Sequence, residues 1–384
     1  MSRPQTLHLA SAHAAGDPRI FQKECRTLAA AGFRVGLVVP HAHDDEVDGV
    51  RVHAVPPPTS GADRLARTTR AVVRRALAEA EGPDTVFHVH DAELLPLALG
   101  LALRGRRVVY DAHEDTPRQT QHMAWIPPPL RRPAGWTYAA LEALGGRLFA
   151  GVVAAVPAIA RRFPDAKTVL VRNFPVLDGQ ADPGPPLAER EAVLAYVGAI
   201  TRARGAEEMV RAVGALPEAL GARLELGGTP YPAGLGADLA ALPGGRRTRF
   251  AGYLGRAEVD GLLRRARVGL VVLHPTPQYE EAYPTKLFEY MAAGVPAVAS
   301  DFPLWRRMVE DAGCGLLVDP LDVDAIAAAC RRLLTDDALA QRMGEAGRRA
   351  ALDRYAWAPE GRRLVAFYRA LAAGSRQPGA EARR

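Results

Sequence analysis

The order of segments between Arg267 and Ser300 constrains this chain more than any other feature. Arg267 to Leu273 is an apolar run closed by His274-Pro275, and Gly294-Val295-Pro296 opens a second run that ends at Ser300. Between them, residues 281 to 294 read E-A-Y-P-T-K-L-F-E-Y-M-A-A-G, one short helix. Strand, loop, helix and strand in that order make a parallel crossover unit, because a tight turn cannot join two parallel strands. Pro284 suits the first helical turn, where its missing N–H has no partner to lose, and Gly294 suits the position just past the helix end. The spacing therefore predicts an α/β protein with parallel sheets.

A helix N-terminus at the carboxyl end of such a sheet offers free backbone N–H groups and partial positive charge, so phosphates bind there. Lys286 stands in that first turn, against the dipole, and a cation so placed points to an anionic ligand nearby. Glu281 precedes the helix and Glu289 lies more than a turn inside it. Two carboxylates at that spacing can accept hydrogen bonds from hydroxyls at opposite ends of one elongated ligand. Taken singly, Glu281 is a loop charge, Lys286 a solvated side chain and Glu289 an exposed helical carboxylate; only the combination is informative.

The 384 residues are too many for one ordinary core and argue for two domains or slightly more. With 48% hydrophobic and 24% charged residues, the composition is that of a soluble globular protein. Lys+Arg of 49 against Asp+Glu of 43 leaves +6, too slight an excess to demand nucleic acid or an anionic membrane as partner. Cys25, Cys314 and Cys330 show no metal-ligand spacing and fit a reducing cytoplasm. Met1-Ser2-Arg3 leads into Leu7-His8-Leu9-Ala10, too short and polar for a signal peptide, and no run reaches membrane-spanning length. The expected location is cytoplasmic, with weak peripheral contact at a membrane surface left open.

Leu7 to Ala10 reads as the first strand, followed by the loop Ser11 to Gly16. A helix comes next, with Asp17 as N-cap, Pro18 in its first turn and Gly32 beyond its end, and Arg34 to Val39 is the second strand. This start carries no G-x-G-x-x-G, so a nicotinamide or flavin site is not indicated and no cofactor is expected. His41-Ala42-His43-Asp44-Asp45-Glu46 alternates rather than sharing a face and reads as an exposed turn, not a metal site. Thr85 to Val89 and Arg107 to Tyr110 are strands ending in His90-Asp91 and in Asp111-Ala112-His113-Glu114-Asp115. Both polar clusters fall where an open α/β sheet places its ligand crevice. Residues 125 to 138, W-I-P-P-P-L-R-R-P-A-G-W-T-Y, read as a Pro-rich surface loop before a helix from about Trp136 to Leu148.

Gly151 to Val156 and Thr168 to Val171 complete a first domain, residues 1–172, and the aperiodic, proline-rich residues 173–192 form a linker. A second strand-first domain, 193–358, opens at Val193 to Val197 and turns through G-A-I-T-R-A-R-G, where Arg202 and Arg204 are placed to meet phosphate oxygens. Leu224 to Gly228 and Phe250 to Leu254 are further strand ends, and Asp322 is an N-cap. Residues 359–373 form a last helix and 374–384 a flexible tail.

Glu-x7-Glu followed by Tyr-Met-Ala-Ala-Gly-Val-Pro-Ala-Val-Ala resembles the donor-sugar signature of the retaining GT-B glycosyltransferases of family 4, also called glycosyl transferases group 1. G-D-P-R-I-F-x-K-E, V-H-D-A-E-L-L-P and Y-D-A-H-E resemble a subgroup of the same family. The resemblance covers nearly the whole chain and is strongest over 248 to 301. It implies two doubly wound Rossmann-like domains facing across a cleft, the C-terminal one holding the donor, the N-terminal one the acceptor, with the last helix crossing back to the first domain. It places Glu281 on the donor sugar ring, Glu289 on the ribose and His113 beside the reacting sugar, so that His113 and Glu281 are the catalytic candidates. Gly16, Arg202, Arg204, Tyr253, Leu254, Lys286 and Leu287 join Glu289 as donor-binding candidates, and His90, Asp91 and Glu114 fall on the acceptor side. Relatives carry an Arg where Ala199 stands and a Lys where Arg204 stands, so half of the usual diphosphate clamp is absent, and Arg202 or Lys286 is expected to supply the charge. Arg19 reads as either a phosphate contact or a surface residue.

The reaction implied is hexosyl transfer from a nucleotide diphosphate-sugar to a hydroxyl of a small-molecule, glycan or lipid-linked acceptor, with retention and no metal. Asp322-Val323-Asp324 matches the metal-binding DxD of another glycosyltransferase fold by letters only. Two other readings share the fold: a nucleotide-sugar 2-epimerase, and a catalytically silent sugar-nucleotide-binding subunit.

Overall fold

The computed structural model describes residues 4–121, 126–177 and 183–373. Met1-Ser2-Arg3, Trp125, linker residues 178–182 and the tail 374–384 lie outside the described residues. Contacts divide the chain into two compact units, one running to Asn173 and taking in Trp357 onward, the other spanning Phe174–Ala356.

The first unit is built on eight strands: β1 (Gln5–Leu9), β2 (Arg34–Pro40), β3 (Asp45–Val47), β4 (Val50–Val55), β5 (Val86–Val89), β6 (Arg107–Ala112), β7 (Gly151–Ala154) and β8 (Thr168–Leu170). Their order in the sheet is β3-β4-β2-β1-β5-β6-β7-β8, all parallel except the edge strand β3. Central strands such as β5 and β7 are buried at every residue. Parallel strands covered by helices on both faces read as continuous apolar runs for this reason. Leu7, Leu9, Phe87, Val89 and Tyr110 fill one side of the sheet, and Leu37, Val39, Val109 and Val153 the other. The chain leaves β1 toward β2 on one side and returns to β5 on the other, so the order reverses between β1 and β5. Loops at that switch point diverge and open a crevice at the carboxyl ends of the strands.

The second unit repeats the plan with β9 (Val193–Val197), β10 (Arg223–Gly227), β11 (Thr248–Gly252), β12 (Val268–Val271), β13 (Ala297–Ser300) and β14 (Gly315–Val318). Its order is β11-β10-β9-β12-β13-β14, entirely parallel, with the switch point between β9 and β12. The crossover predicted between β12 and β13 is the helix Thr285–Ala292. Pro284 holds the N-cap rather than the first helical position, and Gly294, at φ 66°, takes the left-handed conformation that ends the helix. Asp322 caps the helix Val323–Thr335 by accepting the Ala325 N–H at 2.9 Å.

Three local expectations are corrected. The helix predicted from about Trp136 begins at Pro128 and runs to Leu148. Pro128 and Pro129 occupy the first turn, where no intrahelical N–H bond exists to be lost, so a stretch that looks like a loop by proline count is a helix start. Asp44 to Glu46 is not merely a turn: Asp45–Val47 pairs antiparallel with β4, and Asp44 accepts the Ala54 N–H. Asp17 does bond the N–H groups of Arg19 and Ile20, both at 2.8 Å, but the segment it caps opens as a wide π turn, Ile20–Cys25, before the helix Arg26–Ala30.

The helix Trp357–Ala372 belongs to the first unit. Its Trp357 indole N–H donates to Thr27 at 2.8 Å, and Phe367 lies where a Cβ on Gly151 would be 2.4 Å from the ring. Glu360, 2% exposed, accepts the Arg172 backbone N–H at 2.9 Å and pairs with the guanidinium groups of Arg172 and Arg363. Glu360→Ala removes the acceptor of a part-buried N–H and a buried carboxylate that pairs with two guanidiniums, and is expected to cost about 2–4 kcal/mol. Urea unfolding checks this; a loss under about 0.5 kcal/mol, the level of an ordinary surface substitution, would show that this carboxylate does not dock the helix.

Candidate functional site

In the first unit the crevice is organised by Asp111, at the end of β6 and fully buried. Arg19 donates to it through Nε at 2.9 Å and Nη2 at 2.6 Å, while also reaching the Val171 carbonyl at 3.2 Å and Glu24 at 3.1 Å. This overturns both readings of Arg19: at 4% exposure it is neither a surface residue nor a phosphate contact but one half of a buried ion pair. The same carboxylate meets His90 Nδ1 at 3.0 Å and His113 Nδ1 at 3.1 Å. Burial works against its charge, but Arg19 and His113 hold Asp111 well below the usual carboxylate range. Behind it, His90 Nε2 lies 2.9 Å from His8 Nδ1, and His88 Nδ1 lies 2.8 Å from the Tyr368 hydroxyl. Burial lowers all three of these imidazoles, so His8, His88 and His90 are neutral hydrogen-bonding groups. Glu24, pushed well up by burial and by Asp111, is their protonated neighbour.

Asp91, after β5, is held by the backbone N–H groups of Ser11 at 2.5 Å and Ala12 at 3.0 Å, and pairs with His13 at 2.7 Å. Despite burial, these contacts keep its carboxyl at about 2. Burial opposes charge on His13, yet its bond to Asp91 raises the imidazole to about 9. His113 is likewise raised, Asp111 outweighing burial. Glu114 is exposed beside them, and Gly16 is exposed with open space around it. The structure thus brings His90, Asp91 and His113 together and adds His13, which the sequence does not single out. Its position in the loop directly after β1 is the one signal that could have found it.

Among the described residues, two groups in this unit set metal-type ligand atoms within 4.8 Å of one another: His8, Glu24, His88 and His90, and His90, Asp111 and His113. Arg19 bonds both carboxylates, so a positive charge already stands where a cation would have to compete.

In the second unit the site lies at the switch point. Lys286, in the first turn of Thr285–Ala292, stretches over the Tyr196 ring with Nζ 5.7 Å from its centroid. Gly198, immediately after β9 at φ 139°, leaves the space: a Cβ there would be 2.3 Å from Lys286 Cε and 2.6 Å from Nζ. Burial first, and then Arg204, lower the Lys286 ammonium to about 8, with Glu289 acting the other way. Arg204 lies 5.9 Å from the Tyr279 ring centroid; burial opposes its charge and the hydroxyls of Tyr196 and Tyr279 favour it. Tyr196 donates to the Ala199 carbonyl at 2.8 Å. Glu281 and Glu289 flank Lys286 in sequence, both half-buried.

Four candidates stand apart. Arg202 is exposed and bound to Glu207 at 2.6 Å and Asp238 at 2.7 Å, so Lys286, not Arg202, is the cation beside Arg204. The Leu287 side chain is fully buried in the core with Phe288 and Met291 and is not free to touch a ligand. Tyr253 is 86% exposed, and Leu254 packs toward Gly227.

Two doubly wound parallel sheets, each with charged side chains gathered at its switch point, define the class of nucleotide-handling α/β proteins. Within it, two family models match the chain: the glycosyl transferase 4-like domain over residues 18–173 and glycosyl transferases group 1 over residues 180–350. The chain belongs to the group 1 glycosyl transferases, a family of transferase enzymes with the GT-B fold. It is 33% identical to the glycogen synthase of Mycobacterium tuberculosis over 133 residues, 35% of this chain and 31% of that protein, so the match spans about a third of the relative. Sucrose-phosphate synthase from Thermosynechococcus elongatus superposes with a TM-score of 0.74 over 97% of this chain and 100% of its own, at 21% identity. An Anabaena protein solved in complex with UDP-glucose gives 0.71 over 95% and 99%, at 15% identity. At these identities the solved structures bear on fold alone.

The raised His13 imidazole makes a signed prediction. A histidine whose folded pKa lies at about 9 adds stability that is fully present below its unfolded value near 6.5 and is lost as pH rises through 9. The Tm difference between the protein and His13→Gln should therefore shrink from pH 6.5 to 9.5. A difference that stays constant over that range would show that the Asp91 pairing does not hold a proton on His13.

Proposed function

We propose that this protein transfers a hexosyl group from a nucleotide diphosphate-sugar to a hydroxyl of an acceptor, with retention, and that the donor binds at the switch point of the second unit. The observation that carries this reading is the Lys286 and Arg204 pair. Lys286 is disfavoured as a cation by burial and by Arg204, and an arriving diphosphate reverses both penalties at once. Its ammonium and the Arg204 guanidinium then supply the charge that the missing Arg at Ala199 would bring, together with the backbone N–H groups at the start of Thr285–Ala292. Such preorganised donors stabilise charge on the departing diphosphate in the transition state, and no metal is required.

Glu289 accepts the ribose hydroxyls and Glu281 those of the transferred sugar, while backbone groups near Tyr253 and Leu254 meet the base. His113 stands beside the reacting sugar, with His90, Asp91 and Glu114 on the acceptor side. The leaving phosphate oxygen takes the proton of the attacking hydroxyl on the same face, which is what retention requires when no protein base is present. The UDP-glucose bound by the Anabaena protein of like fold supports a nucleotide-sugar as donor. Among the described residues no helix is long and apolar enough to cross a membrane, and a cytoplasmic location is part of this reading.

A thermal-shift panel of UDP-, GDP- and ADP-sugars tests the proposal. At a hundred times the dissociation constant the correct donor stabilises the fold by about 2.7 kcal/mol. Glu289→Ala should weaken that shift, and the absence of any shift across the panel would remove sugar-nucleotide binding from consideration. Released nucleotide with a new glycoside separates transfer from epimerisation, which leaves an altered nucleotide-sugar and no second product.

Two further outcomes follow from the cation pair. Donor affinity should decline as pH rises above about 8, because the free Lys286 loses its proton there; a flat profile to pH 9.5 would exclude Lys286 as a diphosphate contact. Gly198→Ala should displace the Lys286 chain and weaken the donor by about tenfold or more, the effect of disturbing one charge-assisted contact, read by isothermal titration.

A further inference from the structure

The unassigned feature with the clearest chemistry is a pair of imidazoles in the first unit. His13 and His113 stand edge to face with ring centroids 5.3 Å apart. Each sets Nδ1 on a buried carboxylate, His13 on Asp91 at 2.7 Å and His113 on Asp111 at 3.1 Å. The carboxylates are themselves fixed, Asp91 by the N–H groups of Ser11 and Ala12 and Asp111 by the Arg19 guanidinium. With Nδ1 spent in this way, the opposite edge of each ring, Nε2–H, is the one that can meet a ligand. The side chains of His13 and His113 are 27% and 14% exposed, whereas those of Asp91 and Asp111 are 6% and 0% exposed. The pair therefore has a buried, rigid back and an open front. It sits on loops after β1 and β6, on either side of the switch point.

We propose that His13 and His113 form one oxyanion-binding pair that takes a phosphoryl group at the carboxyl edge of the first sheet. Two N–H donors stand there on adjacent rings. His13 keeps its proton at neutral pH, facing Asp91, Asp17 and Glu114, while His113 is raised by Asp111 and Glu114 against burial and the opposing charge of Arg19. Arg19 and His113 share the one Asp111 carboxylate, so two cationic groups draw on a single negative charge. Protonated imidazoles so placed repel each other, and an oxyanion set between them removes that repulsion. A phosphoryl group with several acceptor oxygens satisfies both donors, as a single sugar hydroxyl does not. The source of the group rests on the sugar-transfer reading: it is either the donor diphosphate or a phosphate carried by the acceptor.

The test uses the full chain with histidine side chains labelled with nitrogen-15, titrated with inorganic phosphate, pyrophosphate, glucose 6-phosphate and UDP or GDP. Both imidazoles should respond together to the phosphoryl probe. His13→Gln and His113→Gln should each weaken its binding about tenfold, as loss of one charge-assisted contact would, and binding should fade as pH rises through 9. A response to UDP or GDP alone assigns the donor diphosphate; a response to inorganic phosphate and glucose 6-phosphate with saturating nucleotide present assigns an acceptor phosphate. Either supports the pair. Imidazole signals unmoved by every probe at millimolar concentration overturn it without any variant, and so does His13→Gln binding every probe as the parent does. The two proposals fail separately. Nucleotide binding that depends on Glu289 while the imidazoles stay silent sinks only this inference, and phosphate binding at the imidazoles without any nucleotide binding sinks only the donor site.

Discussion

The first unit depends on one buried ion pair. An isolated carboxylate inside a sheet protein would give up its charge, and Asp111 keeps it chiefly because Arg19 meets both of its oxygens from the segment that follows β1, with His113 adding to the effect. Everything at that end of the sheet is referenced to this pair. His113 is oriented and raised by Asp111, His90 takes its tautomer from Asp111 and His8, and Glu24 is pushed up by burial and by the charge on Asp111. The exposed edge of His113 is thus supported by a network whose members are set by one another, which is how a side chain is held in one orientation.

The second unit solves a similar problem with backbone rather than charge. Three glycines, Gly198, Gly205 and Gly228, let the strand ends draw close: a Cβ on Gly205 would be 2.0 Å from the Val272 carbonyl, and one on Gly228 1.9 Å from that of Gly198. The space so made is filled by the Lys286 chain lying against Tyr196.

Much of the fold is legible in the sequence because its signals are local. Apolar runs bounded by Gly, Pro and polar residues mark β9, β12 and β13, and the caps at Asp17, Pro284, Gly294 and Asp322 mark element ends whose partners lie within a few residues. What escapes is non-local. Arg19 looks ambiguous because its partner is 92 residues away, and His13 looks like loop composition because Asp91 lies across the sheet. Leu287, flanked by Lys286 and Glu289, reads as part of a ligand site although helical periodicity turns it into the core. Arg202 and Arg204 are two residues apart, and only the tertiary positions of Glu207 and Asp238 decide which of them is tied up elsewhere.

The helix Trp357–Ala372 gives the chain an unusual order of completion. Its Tyr368 hydroxyl reaches His88 and Thr6, beneath the network that positions His113, although the whole second unit lies between them in sequence. On the ribosome, the unit that is synthesised first is thus the one finished last. Shortening the chain at its C-terminus would strip the N-terminal unit of a buried hydroxyl and leave the sheet of the C-terminal unit whole.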